Sequence, residues 1–116
     1  MKEEQLELWE NLNENNTLKE VQNYIKKVIA IRGFENQQIE ETMLLLLEEV
    51  GELAKAIRKN VTNMSIDPNK MNHYDTIENE VADVFIVLNS VCNQLGVDLY
   101  QAVKDKEKEN IKRKWK

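Results

Sequence analysis

The sequence predicts an all-α fold: a helical bundle of four main helices plus a short N-terminal leader helix. Three observations carry this. The 116 residues include only 3 Gly and 1 Pro, too few for a turn-rich β architecture. Apolar residues recur at helical spacing along most of the chain. Three helix starts are written as capping patterns, at Thr17–Glu20, Asp75–Glu78 and Asp98–Gln101.

The leader is expected over residues 2–12, with Leu6, Leu8, Trp9 and Leu12 on its apolar side. So short a helix is marginal alone, and Asn13, Asn15 and Asn16 break it. Thr17 then opens the first main helix, whose apolar row is Leu18, Val21, Ile25, Val28 and Ile29. Gly33 is its expected stop, because the residue after a helix often needs a positive φ. The second main helix is expected over residues 38–60. Ile39, Met43, Leu46, Leu47, Val50, Leu53, Ala54 and Ile57 form one broad apolar stripe. Leu45 and Ala56 lie off that stripe, on the side of Glu49 and Glu52, so a second face of this helix is also expected to be covered. Residues 61–74, with Ser65, Asp67, Pro68, Asn69 and Asn72, read as a loop. Asp75 is the expected cap of the third helix, which runs through Ile77, Val81, Val84, Leu88, Val91 and Leu95 to a stop at Gly96. The fourth is expected from Asp98 towards Trp115.

Composition excludes several classes. A formal net charge of -5 argues against a general nucleic-acid binder. The single cysteine, Cys92, excludes an intramolecular disulfide and a thiolate metal cage, and fits a cytoplasmic location. The start MKEEQLELWE lacks the apolar stretch of a signal peptide. The longest apolar runs, 43–47 and 84–88, are too short to span a membrane. There is no repeat or low-complexity segment.

The chemistry-bearing pattern is a pair of acidic motifs. The second main helix carries Glu48-Glu49-Val50-Gly51-Glu52 and the third carries Glu80-Val81-Ala82-Asp83. Glu49 with Glu52, and Glu80 with Asp83, are each three apart and share a helix face. If the two helices pack antiparallel, the four carboxylates converge. Such a group repels itself and resists desolvation, and a hard divalent cation relieves both costs. All-oxygen ligands favour Mg²⁺, Ca²⁺ or Mn²⁺ over Zn²⁺. Taken alone, either pair reads as an ordinary solvated helix face, because Glu is a good helix former. Together, flanked by apolar residues, they say more. A ferritin-like di-iron site needs E-x-x-H pairs, and the only histidine, His73, lies in the expected loop, where solvation is its ordinary state.

These residues resemble the MazG-like family of all-α nucleoside triphosphate pyrophosphohydrolases, whose signature is E-E-x-x-E followed by E-x-x-D. The flanks EEVGELAKAIRK, ENEVADVFIVLNSVCNQLGVDLYQAV and KEKENIKRKW are similar too, so the likeness covers roughly residues 18–115. It divides the chain into a leader segment, 1–16, and a MazG-like domain, 17–116. The resemblance implies cleavage of a nucleoside triphosphate between the α and β phosphates, giving monophosphate and pyrophosphate, and it implies a role in nucleotide-pool house-cleaning. It implies Mg²⁺, with Mn²⁺ as a substitute, held by Glu49, Glu52, Glu80 and Asp83. Glu48 and Glu49 are the expected catalytic carboxylates, Glu48 acting from behind the primary ligands. Lys106, Asn110 and Arg113, spaced i, i+4, i+7, match the K-x-x-x-N-x-x-R stretch of similar proteins and are candidate substrate-binding residues. The competing reading is a solvated basic tail, which Lys104, Lys108, Lys112, Lys114 and Lys116 fit. Apolar residues on more than one side of the second and third helices, and the resemblance, imply a homodimer or homotetramer. The expected partner is thus a nucleoside triphosphate, with no nucleic acid and no membrane. The alternative is a non-catalytic helical bundle that binds a partner protein or a nucleotide.

Overall fold

The computed structural model describes residues 2–69 and 75–115. Five helices and no strand occur among them: α1 (Lys2–Glu10), α2 (Leu18–Ile31), α3 (Ile39–Val61), α4 (Ile77–Leu95) and α5 (Leu99–Asn110). The all-α bundle with a short N-terminal helix is therefore what the chain forms. It divides into two compact units, one of Met1–Asn36 with Cys92–Lys116 and one of Gln37–Val91. His73 lies outside the described residues.

In the first unit, α1 ends two residues earlier than its apolar pattern predicts. The three asparagines supply the reason, because their side chains replace helical hydrogen bonds. Asn13 N–H donates to Asn16 Oδ1 at 2.7 Å, and Asn15 N–H donates to Asn13 Oδ1 at 2.9 Å. Thr17 then closes a reciprocal capping box: Glu20 N–H donates to Thr17 Oγ1 at 3.1 Å and Thr17 N–H donates to Glu20 Oε1 at 2.7 Å. These bonds hold the Glu20 carboxyl below its usual range. Ile25 and Val28 of α2 are buried. Gly33 and Gly96 take positive φ of 88° and 67°, just beyond α2 and α4. Val97 N–H reaches back to Cys92 C=O at 2.8 Å across the Gly96 turn.

One buried polar side chain ties α2 to that turn. Gln22 Nε2 donates to Val97 C=O at 2.8 Å and to Asn93 Oδ1 at 3.0 Å, while Leu99 N–H donates to Gln22 Oε1 at 3.1 Å. Gln22→Ala strips partners from the part-buried Val97 carbonyl and Leu99 amide together. It should destabilise the protein by about 2 kcal/mol or more, seen as a lower urea midpoint.

In the second unit, Glu41 Oε1 accepts from Gln38 N–H at 3.1 Å where α3 starts. The α3 stripe is only partly covered by its own chain. Met43, Leu47, Val50, Ala54 and Ile57 are exposed, whereas Thr42 and Ala56, seven residues either side of the half-buried Glu49, are buried. The off-stripe side therefore faces inward, and its small residues allow close approach to neighbouring elements.

The α4 cap also shifts by one residue. Thr76, not Asp75, precedes the first helical residue, and its Oγ1 accepts from Asn79 N–H at 3.1 Å. Asp75 instead accepts from Thr76 N–H and Asn79 Nδ2. At the other end of the chain α5 opens at Asp98, whose carboxylate accepts from Gln101 N–H at 3.1 Å. It stops at Asn110, short of Trp115, and Lys112 N–H and Arg113 N–H turn back tightly onto Glu109 C=O and Asn110 C=O.

Candidate metal centre

Three of the predicted carboxylates meet within the 37–91 unit. One oxygen each from Glu49, Glu80 and Asp83 lies within 4.8 Å of the others. α3 contributes Glu49, and one turn of α4 contributes Glu80 and Asp83 together, as their three-residue spacing requires. Their surroundings are graded: Glu80 is only 6% exposed, Glu49 is half-buried and Asp83 is exposed. Glu52, the fourth predicted ligand, stands outside this group of three. It is half-buried and pairs with Lys55 at 3.6 Å on its own helix.

The electrostatics are those of a crowded acidic group. Burial first, then the charges of Asp83, Glu80, Glu52 and Glu48, raise the Glu49 pKa above 4.5. Burial first, then Asp83, Asp75 and Glu52, raise that of Glu80, against a small opposing effect of Lys55. Glu80 Oε2 is buried and has no hydrogen-bond partner among the described residues, an unusual and costly state for a carboxylate oxygen. Clustered oxygen donors without sulfur or nitrogen, one of them orphaned, fit a hard divalent cation. Asp75 was expected only as a helix cap. Its place at the foot of α4, five residues before Glu80, is the sequence signal for its effect on that group.

The other predicted residues are placed differently. Glu48 is exposed beside Glu49. Lys106, Asn110 and Arg113 belong to the other unit. Lys106 is exposed and pairs with Glu109 at 3.5 Å, and Asn110 Nδ2 donates to Glu107 Oε2 at 2.9 Å. Arg113 lies beyond the end of α5, so helical spacing does not align it with the other two; its guanidinium stacks 4.5 Å from the Trp115 ring.

Like charges pressed together on an all-α scaffold suit a family of proteins that holds a divalent cation. Comparison with protein families identifies it: residues 37–115 match the MazG nucleotide pyrophosphohydrolase domain, and the chain belongs to that family. The match begins just before α3 and includes both acidic motifs. The family is generally metal-dependent, in keeping with the acidic cluster. Comparison with curated proteins gives no match. No helix among the described residues is long and apolar enough to cross a membrane.

The raised pKa values have a consequence for stability. Below 4.5, Glu49 and Glu80 are protonated in folded and unfolded chains alike and contribute nothing. As pH rises, the unfolded chain ionises first. Stability from these two groups is therefore lost up to their raised pKa values and stays lost above them. Glu20, Asp75 and Asp98 act oppositely, but their lowered pKa values place that loss below the ordinary carboxylate values, under about pH 4.5. Metal-free protein should thus melt at a higher temperature at pH 5 than at pH 7. Millimolar Mg²⁺ should raise the pH 7 melting temperature and do little at pH 4.5, where protons compete. The same Mg²⁺ response at both pH values would contradict the assignment.

Proposed function

We propose that the chain is a Mg²⁺-dependent nucleoside triphosphate pyrophosphohydrolase. It cleaves the α–β bond to give a nucleoside monophosphate and pyrophosphate, in cytoplasmic house-cleaning of the nucleotide pool. The observation that carries this reading is the meeting of Glu49, Glu80 and Asp83 in a chain of this family. The catalytic domain proposed is 17–116, with 1–16 as a leader segment, assembled as a homodimer or homotetramer.

The proposed metal ligands are Glu49, Glu52, Glu80 and Asp83. Mg²⁺, or Mn²⁺ in its place, would neutralise phosphate charge and make the attacking water more acidic. Glu52 joins the group by exchanging its half-exposed partner Lys55, a small loss because ion pairs of this kind contribute little. Asp83, exposed at the edge of the cluster, gives the polyphosphate a side from which to approach. One carboxylate of the Glu48–Glu49 pair takes the proton of the attacking water. Lys106, Asn110 and Arg113 are the proposed phosphate contacts. They supply positive charge and an amide to a chain whose net charge of -5 would otherwise repel the substrate.

The test is a panel of canonical and modified nucleoside triphosphates incubated with protein and Mg²⁺, with pyrophosphate detection. Pyrophosphate release from at least one, abolished by chelation, supports the reading. No release from any member of a broad panel would overturn it.

A further inference from the structure

The acidic cluster of the 37–91 unit has a cation beside it. Lys55 lies on α3 one turn beyond Glu52, the i+3 position that keeps the two on one face. Its ammonium stands 3.6 Å from Glu52 Oε2. Its charge also acts on Glu80 of α4, where it opposes the pKa rise that burial, then Asp83, Asp75 and Glu52, impose. Lys55 therefore serves carboxylates of two helices, one of them the most buried of the cluster.

This hold is easily released. The Lys55 and Glu52 side chains are 41% and 44% exposed, and ion pairs in contact with solvent contribute little. A single positive charge is also a poor match for Glu49, Glu80 and Asp83, whose oxygens already converge within 4.8 Å. A divalent cation held there competes with Lys55 for Glu52 and repels its ammonium. An ammonium on a flexible stem, displaced from Glu52, is drawn to negative charge arriving at the same place. A polyphosphate brings that charge.

We propose that Lys55 is an exchangeable counter-cation of the metal centre. It holds Glu52 while the site is without metal, and it turns to the substrate's polyphosphate when a divalent cation takes Glu52. The first half rests on the metal ligands proposed above, and the second on the nucleotide reading. Lys55 then opposes metal binding and assists nucleotide binding, a pair of opposite effects that a merely structural lysine would not produce.

Mn²⁺ binding to the full chain, followed without nucleotide by the electron paramagnetic resonance of the free ion, is the first measurement. It should tighten about five- to tenfold in Lys55→Met, the effect of one nearby unit charge on a divalent ion at a partly exposed site. Lys55→Gln should behave alike, and Lys55→Arg, which keeps the charge, should bind Mn²⁺ as the parent does. In turnover at saturating metal, Lys55→Met should raise KM for the nucleoside triphosphate about tenfold with kcat little changed, the pattern of a lost charged contact made equally in ground and transition states. Lys55→Arg should restore most of it. Lys27→Met, which removes an exposed lysine of the other unit, should alter neither quantity. Unchanged or weaker Mn²⁺ binding in both Lys55→Met and Lys55→Gln would overturn the counter-cation role. Tighter metal binding with an unchanged KM would overturn the turn towards substrate. A parent that binds no Mn²⁺ would remove the metal centre and this proposal with it. A parent that binds Mn²⁺ but hydrolyses no nucleoside triphosphate would overturn the function proposed above and the substrate half of this proposal, while the metal half would stand on the Mn²⁺ result.

Discussion

Replacing Glu49, Glu80 or Asp83 by its amide should lower nucleotide hydrolysis by more than about 100-fold, the upper end of what losing a mere supporting partner of a metal costs. Glu52→Gln should do the same if Glu52 completes the ligand set. Each change removes a charge and nearly keeps shape, so the fold should survive. Stability should in fact rise at neutral pH for Glu49→Gln and Glu80→Gln. In the metal-free chain burial and neighbouring negative charge both oppose the ionised form of these two groups. Pairing lost activity with a maintained or higher melting temperature separates a site residue from a structural one, whose loss would lower both. Glu78→Gln, exposed in the first turn of α4, is the matched control and should hydrolyse as the parent does. Parental rates in the Glu49, Glu80 and Asp83 variants would remove these residues from the site.

How much of this was legible in the sequence depends on the range of the interaction. Thr17, Asp98, Gly33 and Gly96 were readable because a cap or a positive φ is decided within four residues. Asp75 misled because Asp and Thr stand side by side, and either can cap. The end of α5 carried no stop signal: Lys and Glu continue past Asn110 without glycine or proline. The orientation of α3 was not legible in its sequence. Its wheel has two coverable faces, and spacing alone does not say which of them the chain itself buries. The chain buries Thr42 and Ala56 and leaves the larger residues outside. Periodicity reports that a face is to be covered, not whether its own chain covers it.

The carboxylates show the same division. The spacing of Glu80 and Asp83 fixed that they share one turn, and it equally fixed the Glu52–Lys55 pair that was overlooked. Spacing could not rank their burial. That Glu80 is buried with an orphaned oxygen while Asp83 is exposed is a product of tertiary packing. The i, i+4, i+7 alignment of Lys106, Asn110 and Arg113 failed for Arg113 because the helix it assumed ends first.

The bond cleaved gives an all-or-none result. Among the residues of this chain there is no G-x-x-x-x-G-K-[ST] loop, the usual cradle for transfer of a γ-phosphate. The positive charge proposed for the substrate comes instead from Lys106 and Arg113, and the carboxylates of the 37–91 unit are the proposed holders of charge-neutralising cations. Attack at the α-phosphorus expels pyrophosphate, whose charge such cations stabilise as it departs. Hydrolysis in ¹⁸O-water should therefore put the label in the nucleoside monophosphate and leave the pyrophosphate unlabelled. An analogue with a non-hydrolysable α,β bridge should resist cleavage, while a β,γ-blocked analogue should still react. Label found in inorganic phosphate, with nucleoside diphosphate as the other product, would place the attack on the γ-phosphorus and rule the proposed reaction out.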